Sequence, residues 1–178
     1  MPTPFPIARR IDTADALRAA QAPLKERYKE DPDAATGRLE AHATFEDPGV
    51  TCTVQTWAGP VRAGLHETTG GDGADACSGD LLLQALLACA GVTLRSVATA
   101  MGLDVRSATL TATGTFDARG TLGVSREVPV GVSGVAVEAV LDTDADDAAL
   151  ERLAKLAERY CVVGASLREP VTFTVRRS

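Results

Sequence analysis

The chain has 178 residues, enough for one domain that buries its own core, with room for a short appendage. A formal net charge of −6 and an aromatic content of 4% exclude a general nucleic-acid binder, which needs a basic surface for phosphates and rings for stacking on bases. The opening MPTPFPIARR lacks the apolar run of a secretory signal, and the longest apolar stretch is interrupted by Gln84 and then Arg95, which predicts no membrane span and a cytoplasmic protein.

In chain order, residues 12–30 read as a helix with an acidic start, divided in two by Pro23, which lacks an amide donor. Ala16, Leu17, Ala20 and Leu24 recur on it at helical spacing, so this arm, residues 1–37, is expected either to clasp a second subunit or to pack on its own sheet. A domain over residues 38–178 follows. Leu39, Ala41, Ala43 and Phe45 alternate with polar neighbours, Asp47-Pro48-Gly49 supplies a turn, and Val50, Cys52 and Val54 alternate again, which predicts a hairpin. A third strand is expected over 61–65. A loop rich in glycine and aspartate, 68–79, then leads into a helix over 80–101, with Gly102 placed to end it in a left-handed cap.

Two strands are expected around 104–116 and 124–140, the second weakened by Pro129 and its glycines. The segment DTDADDAALERLAKLAERY, 142–160, puts acids in its first turn and Lys155 and Arg159 late, the arrangement a helix dipole favours. Val171, Phe173 and Val175 alternate in a last strand. Antiparallel strands interrupted by two core helices predict an α+β domain in two layers.

A reducing compartment keeps the four cysteines as packed, metal-binding or redox-active residues rather than a static disulfide framework. Cys52, inward on a strand beside Val54, reads as packing. At 100° per residue, Cys89 projects with Leu82, Ala85, Thr93 and Ser96, away from the stripe of Asp80, Gln84, Gly91 and Arg95, a placement that suits a buried spacer as well as a reactive thiol. Cys77 sits at a helix entry, where unpaired amides favour a thiolate while Asp72, Asp75 and Asp80 oppose it. Cys161 follows the last turn of the second helix, where the dipole disfavours a thiolate. Neither a C-x-x-C pair nor paired histidines point to a metal, GGDG lacks the G-K-[ST] ending of a phosphate loop, and no cofactor is assigned.

The order GGDG, then "DLLLQALLACAGVTLRSVATAMG", then "AERYCVVGASL" and a terminal strand resembles the OsmC/Ohr family of osmotically induced and organic hydroperoxide resistance proteins, on the OsmC-like side, over most of residues 38–178. The resemblance implies an intertwined homodimer with active sites at its interface and two antiparallel sheets around two core helices. Cys89 then matches the cysteine that reacts with peroxide, Cys161 its partner, and Asp80 an acidic residue, usually glutamate, at the start of the long helix. The implied function is a thiol peroxidase acting on organic hydroperoxides in oxidative stress defence. Cys89 becomes a sulfenic acid, Cys161 condenses with it to a disulfide, and a dithiol reductant restores both.

On one helix Asp80 and Cys89 lie about 13 Å apart on opposite faces, so Asp80 is expected to act on the partner subunit's thiol. The chain departs from the resemblance in three places: no arginine stands in the first hairpin, where Phe45-Glu46-Asp47-Pro48-Gly49 occurs and Arg38 and Arg62 are the nearest cations, Ser78 replaces a proline before Asp80, and Val162 replaces one after Cys161. The two lost prolines are expected to affect helix starts more than chemistry. Cys77 is a possible alternative disulfide partner. The missing arginine also leaves a second reading, a non-enzymatic dimer that binds a small apolar ligand.

Overall fold

The structure, a computed structural model, describes residues 11–178; the first ten residues of the expected arm lie outside the described residues. Helix α1, Ala14–Glu30, starts where the Thr13 hydroxyl accepts the Ala16 amide at 3.1 Å. It runs through Pro23 without dividing, contrary to expectation. None of its residues is buried, so water can bond the carbonyl that the missing Pro23 amide leaves unpaired. α1 packs on the long helix α2 of its own chain, not on a sheet.

Strands β1 (His42–Thr44), β2 (Cys52–Thr56), β3 (Gly59–Gly64) and β4 (Ala76–Cys77) form one sheet in that order. The expected hairpin is present, with Ala43 opposite Val54 and Cys52 opposite Ala63. β4 was not foreseen: the aspartate-rich loop returns beside β3 in parallel, Ala63 opposite Ala76. That return depends on Gly71, where a Cβ would stand 1.8 Å from the Leu65 carbonyl oxygen, so only glycine allows the two backbones to approach this closely.

Helix α2, Ser78–Met101, ends at Gly102 in a left-handed conformation, φ 70°, as its sequence predicts. With 24 residues and a mean hydropathy of 1.7 in its most apolar window, it is long and apolar enough to cross a membrane, which corrects the reading that Gln84 and Arg95 interrupt it too much. Gln84 is tolerated because it lies on an exposed position of an amphipathic packing pattern whose buried row is Leu86, Ala90, Leu94 and Ala98. Only 22% of that apolar window is buried within one chain.

The second sheet has the order β5 (Val105–Thr115), β6 (Ser133–Thr143), β7 (Thr172–Arg177). β5 and β6 are antiparallel, with Leu110 opposite Ala139, but β6 and β7 are parallel, with Val137 opposite Phe173. The all-antiparallel expectation therefore fails in both sheets. In the second, the cause is helix α4, Asp147–Tyr160, which carries the chain from the end of β6 back to its start. β6 begins at Ser133 rather than 124, since Pro129 and Gly131, φ 146°, belong to an irregular segment that also holds the short helix α3, Ala118–Thr121. α4 begins after Asp146, whose carboxylate accepts the Ala149 amide at 2.7 Å; the acids at 142 and 144 precede it.

β6 is the centre of the core: Val135, Val137, Ala139 and Leu141 are buried at every second position. Leu150, Leu153, Ala154 and Ala157 of α4 meet them at spacings of three and four, beside the buried row of α2. A one-turn helix α5, Val162–Ala165, follows Cys161 directly. This two-layer α+β unit holds the third turn of α2 against the end of α4.

Candidate functional site

Cys89 is half-buried on α2 at the edge of the core, and Cys161 is buried, 2% exposed, at the junction of α4 and α5. The fold brings together these two cysteines, 72 residues apart in sequence: both are free thiols and their side chains are hydrogen-bonded to one another. They meet because α2 and α4 pack side by side and because the chain turns at Cys161 into α5.

The two thiols differ in electrostatics. Burial pushes Cys89 up, but donation from the Val163 amide, from Cys161, from the Thr93 hydroxyl and from the Val162 amide outweighs it, and the thiol is held below its ordinary value. Cys161 is pushed up by burial; the Gly164 amide, which donates to its Sγ at 3.4 Å, opposes this, and the neighbouring Cys89 adds to it. The two shifts are opposite, so of the pair Cys89 is the thiol that ionises more readily and Cys161 the one that keeps its proton longer. Two adjacent free thiols, one more readily ionised than the other, can be oxidised at the first and then condense to a disulfide.

Among the described residues, no cation enters this balance. Arg62, one of the two nearest substitutes for an arginine, is paired with Asp75 across β3 and the aspartate loop, and Arg38 lies exposed beside Glu40. Backbone amides take the cation's place. Val162 contributes one of them, and a proline there would have no N–H to give. These amide donors carry no side-chain signature and could not be read from residue types. Thr93, by contrast, could have been found from its place one turn after Cys89 on the same face.

Asp80 stands exposed in the first turn of α2, nine residues before Cys89, so within one chain it lies about 13 Å along the helix from the thiol. Cys77 precedes α2 and lines a separate cleft with His66, Phe116 and Val132, and the length of helix between it and Cys89, about 18 Å, excludes an intrachain disulfide between them. Cys52 is half-buried on β2, opposite Ala63.

A cleft of roughly 350 Å³ opens onto Cys161, with Leu86, Gly164, Val171 and Phe173 in its walls. A second groove, roughly 720 Å³, separates α1 from α2 and α4, and Thr93 is in its wall.

Comparison with known proteins sets this site in a family. Solved structures with the same fold include an organic hydroperoxide resistance protein OsmC, a predicted redox protein, from Legionella pneumophila (TM-score 0.61, 20% identity, 80% of this chain and 99% of that one). An organic hydroperoxide resistance protein from Elizabethkingia anophelis superposes with a TM-score of 0.63 at 16% identity, covering 81% of this chain and 97% of its own. An OsmC-like protein of unknown function from Vibrio cholerae gives 0.63 at 16% identity, covering 79% and 98%. No curated protein matches the sequence. The family model for OsmC-like proteins matches residues 71–176, a span that runs from the glycine-rich loop through both cysteines to the last strand; the chain therefore belongs to the OsmC-like protein family.

Proposed function

We propose that the protein is a thiol peroxidase that reduces organic hydroperoxides through a cycle at Cys89 and Cys161. The observation that carries this reading is the hydrogen-bonded pair itself, in which one thiol is lowered by amide donors and the other raised by burial. The Cys89 thiolate attacks the outer peroxide oxygen, the O–O bond breaks, the alcohol leaves with a proton, and Cys89 becomes a sulfenic acid. Cys161 then attacks that sulfur, water leaves, and a disulfide joins the two. Apolar neighbours of the pair, Leu86 and Val163 among them, favour a hydrophobic peroxide over hydrogen peroxide.

The working unit of this proposal is a homodimer. Within one chain only 22% of the apolar window of α2 is buried, Val92 is 73% exposed, and Leu39 and Phe45 beside β1 are 90% and 83% exposed. A second copy that covers α2 also brings its Asp80 toward the Cys89 that Asp80 of the same chain does not reach.

The reading is tested by mass spectrometry of thiols after the reduced protein meets one equivalent of cumene hydroperoxide, in wild type and Cys161→Ser. A rapid Cys89–Cys161 disulfide in wild type and an oxidised Cys89 in the variant are expected. Thiols that stay reduced for hours would overturn the peroxidase and favour a dimer that binds a small apolar ligand.

A further inference from the structure

The groove of roughly 720 Å³ between α1 and the α2–α4 pair has the size of a small-molecule site, for which about 300–1,000 Å³ is usual. Its apolar wall is built by Leu17 of α1, Val97 and Ala100 of α2 and Leu156 of α4. Two cations stand in it, Lys25 on the arm's side and Arg152 on α4's side, and no carboxylate lines it. Neither cation forms an ion pair among the described residues. Their neighbours do: Lys29 of α1 is held by Glu26, and Lys155 of α4 by Glu151. In a chain of net charge −6, the groove is thus a local site of positive charge over an apolar floor.

We propose that this groove binds the free anion of a straight-chain carboxylic acid, its chain along the apolar wall and its carboxylate drawn to the unpaired cations. An uncharged apolar ligand would gain nothing from Lys25 and Arg152, and a small hydrophilic anion would leave the apolar wall in water; an amphiphilic anion satisfies both. Leu17 and Lys25 lie about 12 Å apart along α1, which suits a chain of medium length.

The groove is distinct from the cysteine pair, neither member of which lines it, and from the surface offered to a second copy. At 100° per residue Thr93, Val97 and Ala100 face between the buried row of α2 and the exposed Val92, so a second copy seated on the far side of Val92 borders the groove without filling it. Helix α1 also lies outside residues 71–176, so likeness to the family does not supply this wall. Binding here needs no reaction at either thiol and stands apart from the peroxidase reading.

The test is calorimetric titration of the reduced full-length protein with decanoate below its micellar concentration, and with decan-1-ol as the uncharged chain of equal length. Decanoate is expected to bind about fivefold more tightly at low salt, and the advantage to shrink at high salt. The double variant Lys25→Gln, Arg152→Gln is expected to lose that advantage and to keep the affinity for the alcohol. Ala100→Trp, at an exposed position of α2, fills the groove and is expected to abolish binding of both; Gln21→Trp blocks it from α1, a helix with no buried residue, should the first variant not fold. Equal affinity of the wild type for the two ligands, an advantage that survives in the double variant, or undiminished binding by the folded tryptophan variants overturns the proposal.

Discussion

At Cys89 a lowered thiol is obtained from neutral donors, the Val163 and Val162 amides and the Thr93 hydroxyl, against the opposing effect of burial. Each donor favours the thiolate by about 0.5–1.5 kcal/mol, so losing one is expected to raise the Cys89 value by about one unit or less. Thr93→Val removes a side-chain donor with little change of shape, and Val162→Pro removes an amide where a proline at the first position of a helix is tolerated. The sign follows from the thiolate being the reactive form. On the proposed peroxidase reading the rate of peroxide reduction is expected to rise with pH and level off once Cys89 is ionised, so both variants are expected to move that rise to higher pH, Thr93→Val further than Val162→Pro. The plateau at high pH stays nearly where it is in wild type. Stopped-flow rates with cumene hydroperoxide across pH 5–10 read the shift; an inflection unmoved in both variants would show that these donors do not set the thiol. The residue types at 89, 93 and 161 were legible in the sequence, but the two amides were not, because any residue except proline supplies the same N–H.

At the scale of elements, the loop from Glu67 to Cys77 decides where α2 begins. Gly71 passes so close to the Leu65 carbonyl that any side chain must push the loop off β3, and with it the short parallel strand that sets the first turn of α2 and Asp80. Gly71→Ala is expected to destabilise the protein by about 1–3 kcal/mol, a loss of roughly 2–4 °C in Tm per kcal/mol for a chain of this size. Gly37→Ala, with nothing within 4 Å of the added atom, is the control and is expected to leave Tm within a degree or so. A scan that finds both variants alike would mean that the loop is free to move. Elements with a strong period were legible: the buried row of α2 and the spacing in α4 fall where helical periodicity puts them. What failed has a common cause. The two-residue β4, the one-turn α3 and α5, and the parallel pairing of β6 with β7 depend on contacts between distant segments, which no local pattern encodes. Pro23 departs in the opposite sense: proline removes one helix hydrogen bond wherever it stands, but α1 has no buried residue and its freed carbonyl is open to water.

For the whole molecule, assembly depends on what covers α2. Along it, Leu81, Ala85, Ala88 and Val92 fall at spacings of three and four, and of these only Leu81 is even half-buried, so one chain leaves an apolar stripe beside the buried row that serves its own core. If a second copy supplies the cover, its α2 meets this stripe and its Asp80 comes toward the first chain's Cys89, which makes the site shared. Val92→Glu puts a charge at the centre of the stripe, at a position 73% exposed in the single chain, so it costs the fold little and the association much. Sedimentation is expected to show a monomer with an unchanged circular dichroism spectrum in the far ultraviolet and with peroxide turnover reduced to about 1% or less, the loss that misplacing a positioning group entails. Asp80→Asn, which keeps the stripe, is expected to remain dimeric with reduced turnover. Mixing it with Cys89→Ser then separates the two geometries: heterodimers pair one intact Cys89 with an intact Asp80 from the other chain, so turnover is restored in part if Asp80 acts across the interface. If it acts within its own chain, no heterodimer contains a complete site and the mixture stays as slow as Asp80→Asn alone.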